Sequence, residues 1–244
     1  MTTVDLTRTP AGPLEVAGIS PWLTGYLATP QGRGPWPGVV VIHEAFGVDD
    51  VMRRAADRMA AAGYLALLPD LFTGGRKLPC MANTMKAMRA GNGRAFADLE
   101  AARQWLLASP DCTGRVGVLG FCMGGGFALL LAGRGYDVAA PNYGMLPADL
   151  DAAVGGACPV VASYGGKDRS LRGAAQRLEE ALTRAGIPND VKEYPTAGHS
   201  FLNDAENVPR PLRPLLRVMG VGPEPVAAVD AWARIERFFA VHLR

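Results

Sequence analysis

The sequence lacks the features of a membrane protein or a nucleic-acid-binding protein. Its formal net charge is only +2 at pH 7, with 25 basic and 23 acidic residues, and so small a charge creates no broad basic surface. No stretch reaches the roughly 20 apolar residues that cross a bilayer, and the N-terminus has no signal-peptide pattern. We therefore expect a cytoplasmic protein that acts on a small molecule and binds neither nucleic acid nor membranes.

Cysteine and histidine are also scarce. The four cysteines and three histidines are spread over 244 residues, and the cysteines are not paired at metal-ligand spacing. A chain of this length can build a core without disulfides. We expect free thiols, no metal and no cofactor, while the oligomeric state stays open.

The chain does contain alternating strand and helix patterns. Continuous apolar runs indicate strands buried on both faces, and the segments between them carry helical apolar stripes. This alternation predicts an α/β fold with a mostly parallel central sheet and helices on both faces. Strands are predicted at 22–28, 38–42, 64–68, 115–119, 159–163 and 191–194, and helices at 48–62, 93–108, 127–132, 171–185 and 226–243, the last with Val229, Trp232, Ile235 and Phe239 facing inward.

No repeat or linker divides the chain, so a single domain over residues 1–244 is expected. The stretch from about 73 to 93 is predicted to form a loop or lid, and 203–225 a proline-rich surface excursion. In a parallel sheet of this kind, ligands bind at the carboxyl ends of the strands. Functional residues are therefore sought in the loops that follow predicted strands.

Cys122 lies in the sequence GFCMGG (residues 120–125), between a predicted strand and a predicted helix. This arrangement is typical of a nucleophile elbow, in which a sharp turn exposes a reactive side chain and flanking glycines let the strand and helix pack closely. The helix N-terminus favours the thiolate, and the Met123 N–H can receive an oxyanion. The alternative is that these glycines serve only packing and that Cys122 is an inert core residue.

His199 and Asp168 follow later predicted strands. His199 stands in the small-residue loop PTAGHSF (195–201), where it can act as the base, and Asp168 in YGGKD (164–168) can orient the imidazole. The alternative role of Asp168 is to cap the next helix. Of the other histidines, His43 either shapes the site or is satisfied by backbone groups, and His242 lies in the last helix.

The order Cys122, Asp168, His199, together with VVIHEAFG (40–47), YGGKD and AGHSF (197–201), resembles the dienelactone hydrolase family of α/β-hydrolases from about residue 20 to 242. The resemblance implies an α/β-hydrolase fold and attack of a cysteine on an ester or lactone carbonyl, giving an acyl-enzyme that water hydrolyses. It implies Cys122 as nucleophile, His199 as base and Asp168 as its orienter. It also places Glu44 beside the resting thiol and the N–H groups of Ala45 and Met123 in the oxyanion hole; a plain helix-entry acid is the alternative for Glu44.

The sequence departs from the family at the two arginines that hold a substrate carboxylate. Thr73 to Gly75 follow the PDLF segment (69–72) without an arginine, and the position four residues past His199 is Asn203. Arg76, Lys77 and Arg89 are substitutes nearby, Arg210 is a more distant one, and all can instead be solvated surface charges. The substrate therefore stays open, and a non-catalytic ligand- or partner-binding protein and a thiol-dependent acyltransferase remain alternatives to a hydrolase.

Overall fold

An eight-stranded sheet runs through the described part of this computed structural model, which comprises residues 2–73, 77–207, 213–218 and 220–244. The order across the sheet is β1-β2-β4-β3-β5-β6-β7-β8, where the strands are β1 (Thr2–Asp5), β2 (Thr24–Ala28), β3 (Trp36–Ile42), β4 (Leu65–Pro69), β5 (Cys112–Phe121), β6 (Val138–Asn142), β7 (Val160–Gly165) and β8 (Asn189–Tyr194). Strand β2 is antiparallel to both β1 and β4, and all other neighbouring pairs are parallel. The predicted mostly parallel sheet is confirmed.

Helices cover the two faces of this sheet. They are α1 (Asp50–Ala61), α2 (Lys77–Ala90), α3 (Arg94–Leu107), α4 (Met123–Leu131), α5 (Leu150–Val154), α6 (Ala174–Arg184), α7 (Arg213–Val218) and α8 (Pro225–Leu243). Helix α1 begins at the N-cap Asp49, whose side chain accepts a hydrogen bond from the Met52 N–H, and it ends just before Gly63 at φ +91°. The glycine supplies the left-handed conformation that lets the chain turn back into β4.

Two neighbouring strand positions show that α3 and α8 lie on opposite faces. Gly38 of β3 pairs with Val116 of β5, so these two positions face the same side of the sheet. Side chains alternate along a strand, and position 117 therefore faces the opposite side. A Cβ at Gly38 would meet Leu106 of α3, whereas one at Gly117 would meet Phe239 of α8. Because both faces are covered, the strands between them are continuously apolar; residues 39–42 of β3 are completely buried.

Some predictions of local structure are wrong. Strand β6 was not predicted, and most of the segment predicted as a loop or lid is not a loop but helix α2, which packs against α3 and α4. Val229 is 69% exposed, although it was expected to face inward. The buried side of α8 follows a four-residue spacing through Ala227, Ala231, Ile235 and Phe239, and Val229 lies on the other side of the helix.

The carboxyl ends of five strands meet at one edge of the sheet. The register pairs Ile42 with Gly120, Phe121 with Asn142, Asn142 with Ser163, and Gly165 with Tyr194. The loops that follow β3, β5, β6, β7 and β8 therefore open on a common region. All four cysteines are free thiols, as predicted. Among the described residues, no helix has both the length and the apolar character needed to cross a membrane.

Candidate active site

Glycines bring the turn between β5 and α4 against its neighbours. A Cβ at Gly120 would overlap the carbonyl oxygen of Gly124. A Cβ at Gly124 would overlap the carbonyl oxygen of Ile42 in β3. A Cβ at Gly125 would overlap the carbonyl oxygen of Asn142 in β6. Each of these atoms is backbone, so no side chain could move aside. The three glycines are therefore required for α4 to begin this close to the sheet.

Cys122 occupies the turn itself. It is the N-cap of α4 with φ 55° and ψ −114°, a conformation that residues with a Cβ rarely adopt. Its N–H donates to the Asn142 carbonyl at 3.1 Å and its carbonyl accepts from the Gly126 N–H at 3.1 Å. The next N–H, that of Met123, is the first in the helix, and such groups have no intrahelical partner. The turn therefore has the strained backbone of a nucleophile elbow, with a half-buried thiol at its tip.

His199 lies in the loop after β8, and its backbone is fixed by hydrogen bonds to a later segment of the chain. The His199 N–H donates to the Gly220 carbonyl at 2.9 Å, and its own carbonyl accepts from the Gly222 N–H at 2.9 Å. Gly198 lies so close to Gly220 that a Cβ there would overlap the Gly220 carbonyl. Further along, Trp232 of α8 donates through Nε1 to the Leu202 carbonyl at 3.1 Å. The imidazole is thus carried on a fixed segment rather than on a free loop.

Asp168 lies within hydrogen-bond distance of His199. Its Oδ2 is 2.5 Å from His199 Nδ1, and its Oδ1 accepts from the Ser170 N–H at 3.0 Å and the Ser170 hydroxyl at 2.6 Å. Burial alone would raise the pKa of the Asp168 carboxyl, but the hydrogen bonds from His199 and Ser170 lower it below its ordinary value. The same carboxylate therefore caps the turn that follows and orients the imidazole.

His199 also contacts Cys122. Burial lowers the pKa of the imidazole, but its hydrogen bonds with Asp168 and Cys122 and the charges of those two groups outweigh burial and raise the pKa to about 10. An imidazole with such a pKa keeps its proton at neutral pH. The three residues predicted as a triad are therefore brought together in the order sulfur, imidazole, carboxylate.

Glu44 is bound by the loop that carries His199, and its contact with the resting thiol stays a prediction. Among the described residues, its carboxylate accepts hydrogen bonds from the Ser200 hydroxyl at 2.8 Å, from Asn203 Nδ2 at 3.2 Å and from Asn207 Nδ2 at 2.7 Å, and none from Cys122. Glu44 is 1% exposed. The loop after His199 offers three neutral donors, including the asparagine that replaces the family's arginine, and these hold the carboxylate on the side of that loop.

His43 holds the peptide that follows Glu44. The Leu71 N–H donates to His43 Nε2 at 3.2 Å, so the ring proton lies on Nδ1, which donates to the Glu44 carbonyl at 2.7 Å. Burial lowers the pKa of His43, which favours this neutral form. The Glu44 carbonyl also accepts from the Gly47 N–H at 3.1 Å. In a trans peptide the N–H points away from the carbonyl, so the Ala45 N–H points away from His43.

Of the candidate residues for binding a substrate carboxylate, only Arg89 and Asn203 have described side chains. Arg76 and Arg210 lie outside the described residues, and only the backbone of Lys77 is described. Arg89 is exposed on α2, and Asn203 is buried with its amide donated to Glu44. A contact of any of them with substrate stays a prediction.

Tyr143 is a residue of the site that the sequence did not suggest. It directly follows β6 and is completely buried, and its ring lies edge-on to the His199 ring with 5.2 Å between centroids. Strand β6 has the sequence VAAPN, which contains alanine and proline instead of the usual branched residues. The remaining signal is Tyr-Gly at the end of a short apolar run, which is too common to indicate a site.

Comparisons with known proteins find relatives that match nearly the whole chain. The sequence model described as the dienelactone hydrolase family matches residues 23–243. A protein of Azospirillum brasilense, provisionally named carboxymethylenebutenolidase, is 34% identical over 246 aligned positions, which cover 93% of this chain and 96% of that protein. A protein of the same provisional name from Methylorubrum extorquens is 30% identical over 247 aligned positions, which cover 94% of this chain and 80% of that protein.

Solved structures show the same fold. A provisionally named dienelactone hydrolase from Klebsiella pneumoniae superposes with a TM-score of 0.77 at 25% identity, covering 98% of this chain and 97% of that one. A dienelactone hydrolase from Anabaena variabilis gives a TM-score of 0.70 at 21% identity, covering 100% of this chain and 98% of that one. At this identity, the similarity shows the fold alone. The α/β-hydrolase fold expected from the sequence is confirmed.

Proposed function

Because the chain belongs to the dienelactone hydrolase family, we propose that it is a cysteine-dependent hydrolase of a small ester or lactone. The observation that carries the proposal is the alignment of Cys122, His199 and Asp168 at the carboxyl edge of the sheet, with 2.5 Å between the imidazole and the carboxylate. Each residue comes from a different loop, so this arrangement depends on the whole fold. The reaction needs no cofactor, and a cytoplasmic location stays a prediction.

The proposed reaction begins with acylation. The Cys122 thiolate attacks the carbonyl carbon, and the carbonyl oxygen becomes an oxyanion that accepts hydrogen bonds from the N–H groups of Ala45 and Met123. The C–O bond to the leaving group then breaks, and the imidazolium of His199 gives its proton to the departing oxygen. The products of this half are an alcohol and a thioester on Cys122; in a lactone, the alcohol stays attached to the acyl chain.

Deacylation reverses these roles. Neutral His199 takes a proton from water as the water oxygen attacks the thioester, and the intermediate collapses with the thiolate as leaving group. The acid product leaves, and the thiolate and imidazolium are restored. Asp168 supports both halves because it holds the imidazole in one orientation and stabilises its charged form.

Turnover of a broad substrate panel tests this function. Aryl esters, thioesters and lactones without a carboxylate are incubated with the protein, and acid release is measured. Multiple turnovers on at least one class are expected. No turnover on any class, combined with binding of a ligand, would instead favour the non-catalytic alternative. Acyl transfer in place of hydrolysis would appear as new ester or amide products when an alcohol or amine is added.

The acyl group is expected to be uncharged. The donors bound to the buried Glu44 carboxylate among the described residues are the neutral side chains of Ser200, Asn203 and Asn207, and Asn203 stands where the family resemblance places an arginine that holds a substrate carboxylate. A second carboxylate brought close to Glu44 would be repelled, which disfavours binding. We therefore expect kcat/KM for 4-nitrophenyl hexanoate to exceed that for the matched 4-nitrophenyl monoester of adipic acid by about tenfold or more, or about 1.4 kcal/mol.

The two esters have the same chain length and leaving group, so the terminal carboxylate is their only difference. Spontaneous hydrolysis is subtracted for each, and the ratio is measured at low and high salt. A screened repulsion predicts that the ratio falls with salt. An adipate rate equal to or above the hexanoate rate would contradict an uncharged acyl pocket and indicate a carboxylate clamp.

A further inference from the structure

His43 is a completely buried histidine that stands outside the proposed triad. It directly follows β3, and its ring packs edge-on against the Phe72 ring with 4.8 Å between centroids. Both ring nitrogens bind backbone groups: Nε2 accepts from the Leu71 N–H at 3.2 Å, and Nδ1 donates to the Glu44 carbonyl at 2.7 Å. A buried imidazole with both nitrogens engaged in this way is held in one orientation and one tautomer.

The turn that carries Leu71 and Phe72 is itself fixed to the sheet. The Asp70 N–H donates to the Thr24 carbonyl of β2 at 2.9 Å. The Asp70 carboxylate in turn accepts from the Phe72 N–H, also at 2.9 Å. The ring of His43 therefore rests on a rigid support, and it connects the end of β4 to the loop that follows β3.

The peptide between Glu44 and Ala45 has a fixed orientation. The Glu44 carbonyl accepts from His43 Nδ1 at 2.7 Å and from the Gly47 N–H at 3.1 Å. A carbonyl oxygen has two lone pairs, so these two donors use its full capacity. Because a trans peptide is planar, fixing the carbonyl also fixes the Ala45 N–H, which points in the opposite direction.

The Ala45 N–H has no hydrogen-bond acceptor among the described residues, and Ala45 is only half-buried. The end of β3 lies against the start of α4, because a Cβ at Gly124 would overlap the Ile42 carbonyl and lie 2.9 Å from that of His43. Cys122 is the N-cap of the same helix. A donor that is held in one direction near a nucleophile, without a protein acceptor, is preorganised to receive an oxyanion.

We propose that His43 is a positioning residue of the proposed hydrolase, whose Nδ1–H holds the Glu44–Ala45 peptide so that the Ala45 N–H points at the oxyanion. This inference rests on the proposed function. As the Cys122 sulfur bonds to the carbonyl carbon, the π electrons of the carbonyl move to its oxygen, and the Ala45 N–H donates to that oxygen. His43 keeps its proton and forms no bond to the substrate.

Addition of a trifluoromethyl ketone to Cys122 tests this role. The thiolate adds reversibly to the ketone and gives an anionic tetrahedral adduct, so the affinity depends on the oxyanion donors. Hexyl trifluoromethyl ketone is the probe, and its Kd is measured from the protection of the Cys122 peptide against iodoacetamide by mass spectrometry. Alkylation without the ketone serves as the internal control, because displacement at a saturated carbon forms no oxyanion.

His43→Leu removes both hydrogen bonds of the ring. The Kd of the ketone is expected to rise about tenfold or more, because a small displacement of an oxyanion donor weakens its contact steeply. The rate of alkylation without the ketone should stay at its wild-type value. A Kd equal to that of wild type would overturn the proposal, and so would a rise in Kd matched by an equal fall in the rate of alkylation.

Two further variants separate the lost hydrogen bonds from the lost shape. Glutamine, like neutral histidine, provides one donor group and one acceptor, so His43→Gln should return the Kd towards the wild-type value. His242→Leu makes the leucine substitution on α8, where the histidine ring lies 4.4 Å from that of Phe238, and should retain the wild-type Kd. An equal rise in His43→Leu and His43→Gln would overturn the proposal.

A measurement on the wild-type protein covers the case in which His43→Leu does not fold. Nitrogen NMR shifts of the His43 ring report which nitrogen holds the proton, and Nδ1–H is expected before and after the ketone adds. A proton on Nε2 in either state would overturn the proposal, because the ring could not then bind Leu71 and Glu44 as described. Absence of ketone protection in wild type would overturn it as well.

Failure of this proposal can be told apart from failure of the proposed hydrolase. None of these measurements uses an ester, so absence of ester turnover in wild type would contradict the hydrolase without altering the readings on His43. Conversely, ester turnover in wild type combined with an unchanged ketone Kd in His43→Leu would leave the hydrolase standing and remove only the role of His43.

Discussion

Replacement of Cys122 by alanine is expected to abolish ester hydrolysis while leaving the fold intact. Removing the nucleophile of a triad that acts as a unit lowers kcat by about 1,000-fold or more. Alanine keeps the Cβ, so the strained backbone at φ 55° is no worse than in wild type. The measurement is kcat for a 4-nitrophenyl ester together with the melting temperature of each protein.

Cys158→Ala is the control for this prediction. Cys158 precedes β7 and therefore lies near the amino edge of the sheet, and burial raises the pKa of its thiol to about 12. Its loss should leave kcat unchanged, since a thiol with that pKa is not a nucleophile at neutral pH. If Cys122→Ala retained wild-type turnover, Cys122 could not be the nucleophile.

Asp168→Asn is expected to lower kcat by about 1,000- to 10,000-fold with little change in stability. The asparagine side chain can keep the oxygen that accepts from Ser170, so the turn over Arg169–Leu171 remains capped. Its amide nitrogen, however, replaces the oxygen that faces His199 Nδ1. Two donors would then meet, and the imidazole would turn or change tautomer so that its other nitrogen no longer serves the sulfur.

Asp149→Asn is the control for Asp168→Asn, because it makes the same substitution at an aspartate cap away from the proposed triad. Asp149 caps α5 by accepting from the Ala152 N–H at 3.0 Å, and asparagine caps a helix equally well. This variant should match wild type in kcat and melting temperature. A wild-type kcat in Asp168→Asn would show that the carboxylate does not orient the base.

The fold and the proposed triad follow from local signals in the sequence. Continuous apolar runs indicate buried strands because helices cover both faces, and the elbow is readable because its glycines meet backbone atoms that no side chain could accommodate. The order Cys122, Asp168, His199 is informative for a related reason. Each residue follows a predicted strand, and parallel strands end at the same edge.

The features that were missed depend on contacts between distant segments. Strand β6 is formed by a proline- and alanine-containing sequence because it lies between β5 and β7, and only the placement of that strand brings Tyr143 to the site. Glu44 binds Ser200, Asn203 and Asn207, which follow it by more than 150 residues. Patterns of spacing within one segment contain no information about such pairs.

Detection of a thioester on Cys122 is the most direct test of the proposed mechanism. The protein is mixed with an activated ester, quenched in acid within the first turnovers, and digested, and the peptides are analysed by mass spectrometry. The predicted result is an acyl adduct on the Cys122 peptide that forms as fast as the alcohol is released and decays at the rate of acid formation. Turnover without an adduct on Cys122, or with an adduct only on another residue, would contradict the mechanism.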